Sequence, residues 1–210
     1  QVFLTQSIII ATGASPKRLY CPGEERYWGK GVTSCAVCDG VLYKDQPVII
    51  IGGGDSGMEA VSFLGRFTKK ITVIQNLDHL TASQAMQKKA YALQPTFIFN
   101  AQVTEIIGDQ THATGVKIIQ SPSFQESIIE AAGIFLAIGL HPNSDPFKGL
   151  IKINSTGYIQ TEAETHTSIR GIFAAGDVTD PRYRQAITSA GSGCKAALDA
   201  EEYLRGIKTI

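Results

Sequence analysis

The sequence has no long apolar run, no excess of either charge and few cysteines. Its longest apolar stretches, such as Pro47 to Ile51 and Gly133 to Ile138, are far shorter than the roughly 20 residues that span a bilayer. Lys+Arg and Asp+Glu number 19 each over 210 residues. That balance excludes the basic footprint of a nucleic-acid partner and gives no attraction to an anionic membrane. There is no low-complexity segment and no short-period repeat. The N-terminus has no charged region before its apolar stretch and no clear cleavage site, so no signal peptide is expected and a cytoplasmic location is. In that compartment structural disulfides are rare, and a close cysteine pair points to catalysis or metal binding.

What is present is ordinary globular composition, 43% hydrophobic and 18% charged, arranged around apolar strands that end at glycine turns. Ser7 to Ala11 leads into Thr12-Gly13 and Pro16, Val48 to Ile51 into Gly52-Gly53-Gly54, and Ile134 to Ala137 into Ile138-Gly139 and Pro142. Continuous β-branched runs suit strands buried on both faces of a sheet covered by helices. The first and third stretches echo each other, and each Gly-Pro stretch suits a chain crossing between domains. This divides the chain into a middle domain, 17–141, and a second body made from 1–16 and 142–210. Inside the middle domain, Asp55 to Phe67 reads as a helix, Lys70 to Gln75 as a strand and Ala82 to Leu93 as a helix. Short strands follow from Thr96 to Ile138. The expected class is α/β, a nucleotide-binding unit carrying an antiparallel insertion.

Gly52-Gly53-Gly54-Asp55-Ser56-Gly57 fits G-x-G-x-x-G after a strand and opening a helix. Gly52 permits the tight turn, Gly54 the approach of a pyrophosphate, and Gly57 close packing of helix on strand. The pyrophosphate would lie at the helix N-terminus, near Asp55 and Ser56, where free N–H groups and the dipole favour it. A strand–helix turn with no ligand is the alternative. The next strand ends in Gln75-Asn76-Leu77-Asp78-His79-Leu80-Thr81, which contains no arginine. Gln75 and Asn76 suit a ribose but cannot neutralise the 2′-phosphate of NADP.

Cys35-Ala36-Val37-Cys38 places two thiols three residues apart, on one face of a helical turn and within reach of a disulfide. Pairs of this spacing switch readily between dithiol and disulfide. Asp39 beside them suits proton transfer to and from the leaving thiolate. Two alternatives compete. Zinc needs four ligands, whereas Cys21 and Cys194 are isolated and His79, His112, His141 and His166 are scattered. A buried, inert pair is the other alternative; Cys21 and Cys194 themselves are taken as structural.

Gly171 to Asp177 reads as a short strand ending in Gly176-Asp177, a place for a carboxylate that holds a sugar or ribityl hydroxyl. Tyr183-Arg184-Gln185-Ala186-Ile187 then opens a helix to about Leu204, with Ser189 to Gly193 small enough for close packing. Its N-terminus and Arg184 would stabilise electron-rich density on a bound ring. A capped tight turn is the alternative for Asp177.

Together these motifs closely resemble the low-molecular-weight thioredoxin reductases. The resemblance runs through Ala11-Thr12-Gly13-Ala14, Cys35 to Gly40, Gly52 to Glu59, Ala137-Ile138-Gly139, Gly176-Asp177 and Tyr183 to Ala197. It implies two Rossmann-like domains of the pyridine nucleotide-disulfide oxidoreductase type in a cytosolic homodimer. One binds FAD, with Thr12, Gly13, Gly176, Asp177, Arg184, Gln185 and Ala186 among its contacts. The other, inserted, binds NADP(H) and carries the redox pair. Electrons would pass from NADPH to FAD, to the pair and to thioredoxin, with Cys38 facing the flavin, Cys35 attacking thioredoxin and Asp39 moving the proton. The domains would rotate about the paired crossings.

Two departures carry their own expectations. The strand and glycine-rich turn that hold the FAD pyrophosphate in this family lie well upstream of the position of Ile8. Without them the FAD domain is incomplete, and the chain as given is expected to hold FAD poorly. The family's His-Arg-Arg-x-x-x-Arg cluster is replaced by Gln75 to Thr81, and Gly57 stands where Ala is common. Relatives with such losses use NADH or a donor such as ferredoxin; a redox-inert descendant is the remaining alternative.

Overall fold

The structure, a computed structural model, describes residues 2–208. The chain divides into two compact units: Pro16–Gly139 forms the central one, and the segments up to Ser15 and from Leu140 onward form the terminal one. The crossings thus fall slightly earlier than the expected 17 and 141. The Lys17 N–H bonds to the Gly139 carbonyl at 3.0 Å, drawing both ends of the central unit together.

Along the chain come β1 (Ile8–Ile10), β2 (Ala14–Pro16), α1 (Glu24–Tyr27), β3 (Val32–Thr33) and α2 (Ala36–Asp39). Next are β4 (Val48–Ile51), α3 (Asp55–Leu64), β5 (Ile71–Ile74), α4 (Gln84–Tyr91) and β6 (Thr96–Ile98). Three longer strands follow, β7 (Ala101–Gly108), β8 (Ala113–Gln120) and β9 (Gln125–Glu130). The chain returns through β10 (Gly133–Leu136), β11 (Leu140–Pro142), β12 (Ile172–Ala174) and α5 (Ala186–Lys208).

In the central unit the parallel sheet has the order β3-β10-β4-β5-β6, and β7-β8-β9 form a separate antiparallel sheet. Successive strand side chains alternate between faces. Val48, Ile50, Val73 and Phe135 therefore pack with Met58, Val61 and Leu64 of α3. Ile49, Ile51, Ile74, Ile134 and Leu136 pack on the other face with Val103, Ile106, Val116 and Ile118 of the antiparallel sheet. Both faces are covered, which is why β4 and β10 read as unbroken apolar runs. Strand order reverses between β4 and β10, making their C-terminal ends the switch point where ligands bind in such sheets. The helices are shorter than their patterns suggested: α3 ends at Leu64, before the turn through Gly65, and α4 spans Gln84–Tyr91.

A buried charge steadies the start of this unit. Glu24 is 3% exposed, pairs with Arg18 Nε at 3.1 Å and accepts the backbone N–H groups of Leu19 and Tyr20. The Arg18 guanidinium lies 3.8 Å above the Trp28 ring. A buried carboxylate with both oxygens engaged avoids the large penalty of an unpaired one.

In the terminal unit β1 pairs with β12 in a two-stranded parallel sheet, and β2 pairs with β11. The expectation that β1 is buried on both faces is wrong. Ile10 is buried with Ile159, Ala174 and Val178, but Ile8 and Ile9 are exposed, since this small sheet is covered over only part of its surface. Helix α5 packs Ala196 and Ala200 against Phe173 and Ala175. Within the Ser189–Gly193 stretch the close packing is partial: Ser189 and Ser192 pack against Asp177 and Gly176, whereas a Cβ on Gly191 or Gly193 would meet nothing within 4 Å.

Candidate functional site

The glycine turn lies at the switch point. Gly52 has φ +120°, and a Cβ there would sit 2.6 Å from the Ala137 carbonyl oxygen, so only glycine fits. A Cβ on Gly57 would lie 2.0 Å from the Gly52 oxygen, the helix-on-strand contact that places the start of α3 against β4. Beside Gly54 the nearest atom is Thr81 Oγ1 at 3.6 Å, which leaves open space at the helix N-terminus. The Asp55 carboxylate accepts the backbone N–H and hydroxyl of Ser83 at 2.8 and 2.9 Å, tying α3 to the start of α4. Ser56 follows in the first turn of α3.

Sequence reasoning treated Gln75 as a candidate ribose contact. Its side chain is instead buried, with Oε1 accepting the Gly53 N–H at 3.1 Å and Nε2 donating to the His79 carbonyl at 3.2 Å. Beside the strand end lies a cleft of about 580 Å³ bounded by residues that include Gly52, Asn76 and Ile138.

Cys35 and Cys38 form a disulfide, with Cα atoms 5.3 Å apart. Cys35 is the N-cap of α2; its sulfur accepts the Cys38 N–H at 3.2 Å, and its own N–H donates to Thr33 Oγ1 at 3.1 Å. Cys38 is exposed and Cys35 half-buried, which removes the buried, inert alternative. Val37, Val41 and Leu42 around the pair are 58%, 58% and 67% exposed, an apolar collar facing solvent. Asp39 closes α2, and burial together with its charge pushes the Tyr43 phenol above its ordinary pKa. Among the described residues no group of three or more His, Cys, Asp or Glu side chains is placed to hold a metal ion.

Cys21 is half-buried against the central core, where burial and the nearby Glu24 carboxylate raise its thiol pKa and suppress the thiolate. Cys194 is exposed on α5, so core packing does not account for it.

In the terminal unit, Thr12 and Gly13 are held by a residue the sequence did not single out. Asn143 accepts the Thr12 hydroxyl at its carbonyl (2.7 Å), donates its side-chain amide to the Thr12 carbonyl (2.9 Å), and donates its N–H to the Gly13 carbonyl (2.9 Å). Gly176 has φ +79° and donates its N–H to the Ser192 hydroxyl at 2.9 Å; Asp177 Oδ1 accepts the Ser189 hydroxyl at 2.7 Å. A pocket of about 360 Å³ opens beside Gly176, Asp180, Tyr183 and Ser192.

Helix α5 starts at Ala186 rather than at Tyr183. Asp180 accepts the backbone N–H groups of Arg182, Tyr183 and Arg184 at 2.8 to 2.9 Å, folding that stretch into a turn with Arg184 at φ +50°. Burial pushes the Asp180 carboxyl up, but these backbone donors and Arg184 outweigh it and hold the pKa below the ordinary value. Gln185 donates its N–H to Thr188 Oγ1 at 3.3 Å, completing the entry to the helix. An Asp-Pro followed by helix-type residues is a turn signal, and it was the one available clue to this arrangement.

Residues 2–193 match the family described as pyridine nucleotide-disulphide oxidoreductase. The chain is 43% identical over 201 residues to thioredoxin reductase of Mycolicibacterium smegmatis, covering 95% of this chain and 64% of that protein. It is 46% identical to thioredoxin reductase of Chlamydia trachomatis, covering 97% of this chain and 67% of that one. The crystal structure of thioredoxin reductase from Streptococcus pyogenes superposes with a TM-score of 0.90 at 38% identity, over 95% of this chain and 66% of that chain. The chain thus spans about two thirds of the length of the relatives it matches. With that match across nearly all of its residues, the chain belongs to the pyridine nucleotide-disulphide oxidoreductase family, of the thioredoxin reductase kind that its motifs resemble.

Proposed function

We propose that this chain supplies the dithiol and the dinucleotide-binding unit of a thioredoxin-disulfide reductase that works with NAD(P)H and FAD. The observation that carries this reading is the Cys35–Cys38 disulfide on a solvent-facing turn, ringed by Val37, Val41 and Leu42. An exposed apolar collar around a redox-active pair suits a protein disulfide as substrate. Residues 16–139 serve as the pyridine-nucleotide domain, with Gly52, Gly54, Asp55, Ser56 and Gly57 forming the phosphate turn. The terminal unit serves as part of the FAD domain of a cytoplasmic homodimer.

The residues of the terminal unit fit a flavin. The Asp177 carboxylate is oriented by Ser189 beside an open pocket, and Thr12 and Gly13 are clamped by Asn143. Arg184, Gln185 and Ala186 lie where a helix begins, a place that favours electron-rich groups. When bound, FAD supplies a two-electron relay from the nicotinamide to the disulfide.

The dithiol then acts by exchange. The Cys35 thiolate attacks one sulfur of oxidised thioredoxin, forming a mixed disulfide and releasing a thioredoxin thiolate that takes a proton. The Cys38 thiolate attacks Cys35 Sγ, re-forming the Cys35–Cys38 bond and releasing the second thiolate. Two electrons and two protons pass to thioredoxin. Asp39, at the end of the same turn, accepts and returns the proton.

The test is direct. The chain is reduced with dithiothreitol, desalted and mixed with oxidised thioredoxin, and free thiols on thioredoxin are counted. Reduced wild type is expected to transfer its electrons, Cys38→Ser to trap a mixed disulfide through Cys35, and Cys35→Ser to trap none. A reduced wild type that leaves thioredoxin oxidised sinks the proposal.

A further inference from the structure

We infer that the cleft beside the end of β5 is an adenosine site for a dinucleotide with a free 2′-hydroxyl, NADH rather than NADPH, with Phe124 as the surface on which the adenine stacks. This rests on the proposed function and names its electron donor.

The cleft of about 580 Å³ is bounded by residues none of which carries a charge. Its polar lining is the carboxamides of Gln75, Asn76, Asn100 and Gln102 with the hydroxyl of Ser121. A 2′-phosphate carries close to two negative charges at neutral pH and needs a cation to replace its water. The charged group next along the chain is an acid: Asp78, whose hydrogen bond to His79 holds its carboxyl below the ordinary pKa and therefore ionised. Carboxamides offer a ribose hydroxyl both donor and acceptor, but they offer a phosphate dianion no compensating charge.

Gln75 narrows the choice further. Its carboxamide closes on the Gly53 N–H and the His79 carbonyl, so the N–H at the second glycine of the turn is already engaged. The other polar side chains that line the cleft, Asn76, Asn100, Gln102 and Ser121, are neutral.

Phe124 supplies the other half of the site. It stands at the turn between β8 and β9 with φ +53°, is 73% exposed, and borders the same cleft. Leu19 and Ile138 form apolar walls of that cleft. An aromatic ring held in solvent beside carboxamides offers a purine a stacking face together with hydrogen-bonding edges.

The test measures binding of NADH and NADPH to the full 210-residue chain by calorimetry, with three forms compared. Wild type is expected to bind NADH at least about ten-fold more tightly than NADPH. Phe124→Ala should weaken NADH about ten-fold, the effect of losing one stacked base. Asn76→Arg combined with Thr81→Arg, which places cations at the cleft wall and beside Gly54, should raise NADPH affinity about ten-fold or more. NADPH binding as tight as NADH, an unchanged Phe124→Ala affinity, or no binding of either dinucleotide overturns the inference. Thiol exchange with thioredoxin, measured on the same preparation, separates the outcomes. Exchange without NADH binding removes only this inference, and NADH binding without exchange removes only the proposed substrate.

Discussion

The Gln75 carboxamide joins the backbone N–H of Gly53 to the carbonyl of His79, so one buried side chain links the glycine turn to the segment that follows β5. A Cβ on Gly53 would approach Gln75 Cδ to 2.8 Å, which shows how closely the two are packed. Gln75→Ala leaves the buried Gly53 N–H unpaired and opens a void. Unfolding in urea is expected to show a loss of about 2 kcal/mol, the usual cost of stranding such groups. An unchanged midpoint would mean that water replaces the amide without penalty.

Gly52 is the position at which the turn tolerates no side chain. At φ +120° any L-residue is strained, and the 2.6 Å approach to the Ala137 oxygen is to rigid backbone. Gly52→Ala is expected to cost about 3 kcal/mol, the upper part of the overpacking range, and to abolish dinucleotide binding. Thermal unfolding and calorimetry check both. Full stability with lost binding would show that the turn relaxes away from β10.

Asp180 organises the approach to α5 through three backbone N–H groups. Asp180→Ala frees all of them at once, and a loss of about 2 kcal/mol is expected, in line with hydrogen bonds to a charged acceptor. Amide exchange at 182–184 should accelerate well beyond that in the rest of the terminal unit. Equal exchange rates in the two proteins would show that the turn holds without the carboxylate.

Asp109 gives the central unit an acid-dependent contribution. The backbone N–H groups of His112 and Thr111, with the Thr111 hydroxyl, lower its carboxyl pKa to about 2. Because the folded value is depressed from about 3.9, the stabilisation is complete above that value and fades as pH falls towards 2. Comparing urea midpoints at pH 5.5 and near the folded pKa, Asp109→Asn should lose less stability on acidification than wild type. A parallel decline would place the acid sensitivity elsewhere.

What the sequence determined by itself was local. Gly52, Gly54 and Gly57 are readable because the positive φ of Gly52 and the 2.0 Å approach of a Gly57 Cβ to the Gly52 oxygen are set within six residues, although the Ala137 oxygen that also bars a side chain at Gly52 comes from far along the chain. The cysteine pair is readable for the same reason: one helical turn brings positions 35 and 38 together. The buried runs of β4 and β10 follow from a sheet covered on both faces. Tertiary structure alone decided the rest, because it depends on side chains far apart in sequence meeting with the right geometry. Asn143 closes on Thr12, Ser189 on Asp177, and Phe124 borders the same cleft as Leu19 and Ile138. Gln75 shows the difference most clearly. Its identity suggested a ribose contact, but burial made its hydrogen bonds obligatory, and the fold supplies them from the Gly53 N–H and the His79 carbonyl.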